Sequence, residues 1–146
     1  MKMEMVNDWM TQDIITVSPD MTLAEAHRLM IDQRIRRLPV MLAGKLVGIV
    51  TLGDVREAEP SDATSLSIWE VNYLLAELKL EKIMTRNPIT ISHAATLGKA
   101  AQIMLENKVS GLPVVDDNGK VVGIITESDI FRAVAKTWDT VENVLV

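Results

Sequence analysis

Two tetrapeptides in this 146-residue chain carry the clearest chemistry: Thr51-Leu52-Gly53-Asp54 and Thr126-Glu127-Ser128-Asp129. Each follows a run rich in Val, Ile and Leu that reads as a strand, and each leads into a segment that reads as a helix. At such a junction a Thr hydroxyl accepts a hydrogen bond from a free backbone N–H of the first helical turn, and the N–H groups there favour an anion. An ionised Asp three residues on can accept hydrogen bonds from both hydroxyls of a vicinal diol such as a ribose. Charge-assisted bonds of that kind contribute roughly 1.5–3 kcal/mol each. The same spacing also serves as a plain helix N-cap, so the tetrapeptide alone leaves both roles open. Arg36-Arg37 is the other candidate: a guanidinium presents a fixed fork of donors that suits a phosphate. Arg34 and Arg37 fit equally well as cations at a helix C-terminus.

The elements that must position these residues occur twice. Met10-Thr11 falls on Met84-Thr85 at an offset of 74, and so do Thr16 on Thr90, Thr22-Leu23 on Thr96-Leu97, Met30 on Met104, and Leu38-Pro39-Val40 on Leu112-Pro113-Val114. One extra residue in Asp116-Asp117-Asn118-Gly119, set against Leu42-Ala43-Gly44, moves the offset to 75. Gly48, Thr51 and Asp54 then match Gly123, Thr126 and Asp129. An insertion in a turn is where a repeat tolerates one.

Each copy reads as a short extended stretch (Ile14-Ile15-Thr16-Val17, then Ile89-Thr90-Ile91), a helix, a hairpin and a second helix. Thr22-Leu23-Ala24-Glu25 has the form of a capping box. Leu23, Ala26, Leu29 and Met30 recur at helical spacing, as do Leu97, Ala100, Ile103 and Met104. Asp117-Asn118-Gly119 is a hairpin turn signal. Pro39 and Pro113 lack a ladder N–H and are expected at a strand start or edge. Between the copies, 66–80 reads as a helix whose Ile68, Val71, Leu75 and Leu78 share a face widened by Trp69 and Leu74. The expected fold is α+β: two βαββα-type repeats packed with pseudo-two-fold symmetry, spanning 6–59 and 80–139, with a linker and its amphipathic helix at 60–79.

Arg37-Leu38-Pro39-Val40 with the run from Gly44 to Asp54, and Gly111-Leu112-Pro113-Val114-Val115-Asp116 with Gly119 to Asp129, resemble CBS motifs. Two in tandem resemble a Bateman module over nearly the whole chain, of the stand-alone CBS-pair kind and with some similarity to the acetoin-utilisation type. The resemblance implies regulatory binding of AMP, ADP, ATP or S-adenosylmethionine in clefts between repeats, homodimerisation, and control of an unidentified partner protein. Carried over by position, one site comprises Ile15, Thr16, Arg36, Arg37, Thr126 and Asp129. The other comprises Thr51, Asp54, Ile89, Thr90, Ser110 and Gly111. The first has two guanidiniums where the second has a hydroxyl and no side chain, so the first is expected to hold the phosphorylated ligand. The alternative is a scaffold or dimerisation module that uses neither cleft.

Other classes find little support. The chain has no Cys, and His27 and His93 stand alone, so no metal site is expected. No nucleophile elbow, Walker loop or dinucleotide fingerprint occurs, so no catalytic residue and no enzyme are expected. A net charge of -5 with one Phe and one Tyr disfavours nucleic acid. No run approaches the length of a membrane span and no signal peptide is evident, which suits the cytoplasm. Ile130, Phe131, Val134 and Trp138 stripe one face of the last helix and are expected to meet a second copy.

Overall fold

The computed structural model describes residues 4–60 and 65–145, with side chains described up to Trp138. The chain forms two compact units, Ile15–Pro88 and Met1–Ile14 with Ile89–Val146. Both mix helix and sheet, as the repeat implied.

In the unit Ile15–Pro88, helix α2 (Leu23–Gln33) follows the short N-terminal helix α1 (Val6–Trp9), which belongs to the other unit. Thr22 Oγ1 accepts the Glu25 N–H at 3.2 Å, while Leu23, Ala26 and Met30 are buried. The helix stops at Arg34, which takes a left-handed conformation (φ 55°). Strands β1 (Arg37–Leu42) and β2 (Lys45–Thr51) pair antiparallel through Ala43-Gly44, both at positive φ, as a two-residue hairpin turn requires. Helix α3 (Leu52–Ala58) leaves β2 directly, and α4 (Ile68–Glu77) and a 3-10 turn (Leu80–Lys82) precede β3 (Thr85–Arg86), which pairs antiparallel with β2. The core is Val17, Leu23, Ala26, Met30, Leu38, Val40, Val50, Val55 and Leu80.

The other unit repeats this plan. Strand β4 (Ile91–Ser92) runs parallel to β5 (Gly111–Val115), which pairs antiparallel with β6 (Val121–Thr126); α5 (Leu97–Asn107) and α6 (Glu127–Leu145) complete it. Helix α5 ends at Lys108 (φ 54°), the equivalent of Arg34, and both hairpins carry a bulge at equivalent places, Val40/Met41 and Val114/Val115. The added residue in the second hairpin makes a turn in which Asp116 Oδ1 accepts the Asn118 and Lys120 N–H groups at 2.9 Å.

The segment leading into each repeat packs on the other repeat. Met5 bridges Thr96 and Thr11 bridges Ile124, while Thr22 bridges Lys79 and β3 pairs with Gly48 and Ile49. Val6 is buried in one core and its equivalent, Leu80, in the other. Met10 lies over Gly123 and Met84 over Gly48: a Cβ on either glycine would come within 2.7 Å or less of the methionine sulfur. Glycine is what permits that close approach.

Three expectations need adjustment. The stretch Ile14–Val17 supplies a single parallel bridge, Val17 to Val40, rather than a strand. Pro39 lies in β1, an edge strand of its sheet, as expected, whereas Pro113 lies inside β5, the central strand of the other sheet. Pro39 O accepts the Val17 N–H at 3.0 Å, so its nitrogen faces the same way, off the β2 ladder; pairing of β5 with β4 begins only at Val114, after Pro113. Finally, α4 partly buries Val71, Leu75 and Leu78, but Ile68, Trp69 and Leu74 are exposed, so its packed face is narrower than the apolar pattern suggested.

Candidate functional site

Both Thr-x-x-Asp tetrapeptides sit where a strand passes without a loop into a helix. At the end of β2, Asp54 Oδ2 accepts the Thr51 N–H at 2.9 Å and Thr51 Oγ1 accepts the Asp54 N–H at 3.1 Å, a reciprocal capping box. At the end of β6, Asp129 Oδ2 accepts the Thr126 N–H at 2.8 Å and the Thr126 hydroxyl at 3.2 Å. The reciprocal box is therefore realised at Thr51, while at Thr126 the Asp carboxylate takes both the N–H and the hydroxyl of the Thr. These bonds engage Oδ2 in each, so that Oδ1 is the oxygen with which a ligand could be held.

The hairpins bring a second group of predicted residues to the same strand ends. Arg37 is the register partner of Thr51, and Arg36 O accepts the Leu52 N–H at 2.8 Å. In the other unit Gly111 is the register partner of Thr126, and Ser110 O accepts the Glu127 N–H at 3.0 Å. Arg36, Thr16 and Ile89 are exposed, while Ile15, Arg37, Thr90 and Gly111 are half-buried. The structure thus assembles Arg36, Arg37, Thr51 and Asp54 at one end of the first hairpin, and Ser110, Gly111, Thr126 and Asp129 at one end of the second. Each six-residue set expected from the sequence draws on both units: Ile15, Thr16, Arg36 and Arg37 lie on one, Thr126 and Asp129 on the other, and the second set divides the opposite way.

The two carboxylates differ in surroundings. Asp54 is half-buried, whereas Asp129 is 2% exposed, and its Oδ1 accepts a hydrogen bond from Arg132 Nη2 one helical turn on. The position equivalent to Arg132 in the first repeat is Glu57. Sequence reading passed over Arg132, although its i,i+3 spacing from Asp129 on a helix was the signal. His27 pairs with Glu59 across α2 and the end of α3 (Nδ1 to Oε1, 2.5 Å). Among the described residues no group of three or more His, Asp or Glu side chains could hold a metal ion, and no helix is long and apolar enough to cross a membrane.

A different kind of surface lies on the unit that ends in α6. A groove of about 500 Å³ is lined chiefly by Leu97, Ala101, Ile130, Ala133, Val134 and Trp138. Beside it Phe131 and Trp138 are exposed.

Two equivalent α+β units, each ending a hairpin in a Thr-x-x-Asp whose carboxylate holds the Thr N–H, define a tandem-repeat module. The chain belongs to the CBS domain family, whose model matches residues 6–61 and 80–136. Solved CBS pairs share the fold. The CBS domain pair of protein MJ0100, in complex with 5'-methylthioadenosine and S-adenosyl-L-methionine, is 32% identical, covers 93% of this chain and is itself 99% covered, with a TM-score of 0.77. CBSX2 of Arabidopsis thaliana, in complex with AMP, is 28% identical over 92% of this chain and 98% of its own, with a TM-score of 0.74. A Vibrio cholerae protein assigned to acetoin utilization is 31% identical over 97% and 98%, with a TM-score of 0.75, in keeping with the narrower resemblance. The chain spans less than half the length of the first curated relatives it matches, an inosine-5'-monophosphate dehydrogenase among them.

Proposed function

We propose that this chain is a regulatory module and not an enzyme, which binds an adenosyl nucleotide and passes its occupancy to a partner protein. The observation that carries this reading is the pair of Asp residues, each accepting the N–H of its Thr through Oδ2, with Oδ1 left by Asp54 and held by the exposed Arg132 in Asp129, in a family whose similar solved members hold S-adenosylmethionine, methylthioadenosine and AMP. Thr126 and Asp129 act with Ile15, Thr16, Arg36 and Arg37, and take AMP, ADP or ATP. Thr51 and Asp54 act with Ile89, Thr90, Ser110 and Gly111, where no guanidinium faces a phosphate, and take a less charged adenosyl ligand such as S-adenosylmethionine or none. The module works in the cytoplasm as a homodimer whose contact includes Ile130, Phe131, Val134 and Trp138, with no role for nucleic acid, metal or membrane.

Calorimetric titration of AMP, ATP and S-adenosylmethionine tests the assignment. Asp129→Ala and Arg37→Ala are each expected to weaken AMP at least tenfold, the worth of one charge-assisted bond. Asp54→Ala is expected to leave AMP in place. The reverse pattern inverts the assignment, and a chain that none of the three ligands stabilises is a scaffold, because ligand at 100 times Kd adds about 2.7 kcal/mol.

A further inference from the structure

Resting on the nucleotide-binding reading, we propose that Arg132 sets the ligand charge at the Asp129 site: it closes the carboxylate in the free protein and yields it only to a diol that brings an anion of its own. Asp129 has one oxygen, Oδ2, committed to the Thr126 N–H and hydroxyl. The remaining oxygen, Oδ1, is the one a ribose needs, and it is the one Arg132 Nη2 holds. Asp129 is 2% exposed while Arg132 is 63% exposed. A diol therefore reaches the carboxylate by displacing a side chain that is mostly in solvent and free to swing aside.

What that displacement costs depends on the ligand. A guanidinium driven off a buried carboxylate loses a charge-assisted bond. A phosphate restores it with a bidentate pair to the same guanidinium, so AMP loses little. A neutral nucleoside returns nothing. The Asp54 site lacks this device at the equivalent position, where Glu57 stands in place of Arg132 and offers the carboxylate no cation. The asymmetry between the halves thus extends from Arg36-Arg37 to the helix that follows each Thr-x-x-Asp.

The test compares AMP with adenosine by calorimetry on the full chain, following the binding event that Asp129→Asn removes. In the native protein AMP is expected to bind at least about tenfold more tightly than adenosine, one charge-assisted bond. In Arg132→Ala adenosine is expected to tighten while AMP holds or weakens, so that the ratio falls about tenfold. Arg132→Gln, which is shorter and carries an amide donor but no charge, is expected to lower the ratio as well and serves if the alanine variant does not fold. An unchanged ratio, or equal loss of both ligands, in a variant with a native melting profile overturns the role of Arg132 while leaving nucleotide binding intact. If neither AMP nor adenosine binds in an Asp129-dependent way, the functional reading of this site falls and the role of Arg132 falls with it.

Discussion

Gly48 and Gly123 are equivalent residues that differ in what crowds them. A Cβ on Gly48 meets the Met84 side chain first, at 2.5 Å from Sδ and 2.9 Å from Cγ, with Thr85 O at 3.1 Å. On Gly123 it meets the Thr11 backbone carbonyl at 2.7 Å, as close as the Met10 sulfur. A methionine tail can rotate away, whereas a carbonyl engaged in a backbone hydrogen bond with Ile124 N–H (3.0 Å) cannot. Gly123→Ala is therefore expected to cost about 2–3 kcal/mol in urea denaturation, at the upper end for overpacking, and Gly48→Ala about 1 kcal/mol. Met84→Ala should recover part of the Gly48→Ala loss, and the double-mutant cycle reads that coupling. Equal costs at the two glycines, or strict additivity, would show that the methionines are not what the glycines accommodate. The repeated Met and Gly were visible in the sequence; that they face one another over a long sequence separation was not, because periodicity reports which face of an element is apolar and not which distant element covers it.

Helix α4 shows the same limit at the scale of an element. Its ten residues, IWEVNYLLAE, are apolar on most sides, so spacing alone could not separate an inner face from an outer one. In the structure Leu75 packs against the core with Leu78, while Trp69 is 80% exposed and Tyr73, one turn on, is exposed beside it. Leu75→Ala is expected to destabilise the chain by about 1–2 kcal/mol, less than a fully buried leucine because it is half-buried. Trp69→Ala should change stability by no more than about 0.5 kcal/mol, as surface substitutions do. A thermal melt in which Trp69→Ala costs more than Leu75→Ala would mean that the outer face is covered in solution. The strand-to-helix junctions were legible because Thr-x-x-Asp is a local pattern whose partners are three residues apart, and in both the Asp carboxylate holds the Thr N–H. Pro39 falls on an edge strand as expected, but Pro113 falls on a central one, for a related reason: whether a missing N–H matters depends on what lies on that side of the strand, which is a matter of neighbours and not of the tripeptide Leu-Pro-Val.

For the molecule as a whole, the segments that repeat in sequence and the units that are compact in space are cut differently. The family model matches 6–61 and 80–136, whereas the first compact unit is Ile15–Pro88 and the second joins Met1–Ile14 to Ile89–Val146. The difference arises from the leaders: residues 78–85 cap α2 and β2 of the first repeat, as residues 4–11 cap α5 and β6 of the second. A fragment of 6–61 lacks Leu80, a fully buried member of its core, and leaves the outer edge of β2 without β3. It also carries Val6, whose core lies in the other repeat. A fragment of 15–88 contains its whole core and all three strands of its sheet, though at this length its margin of stability is small. The second fragment is therefore expected to unfold cooperatively in urea with dispersed amide resonances, and the first to give a broad, non-cooperative transition and exposed apolar surface. Should 6–61 prove the more cooperative of the two, the exchanged leaders contribute little, and the repeat, not the spatial unit, is what folds. The expected order would instead explain why an exchange that leaves no mark on the repeat pattern is kept on both sides: each leader supplies the apolar residue, Val6 or Leu80, that closes the other repeat's core, so neither repeat can be completed without the chain of its twin.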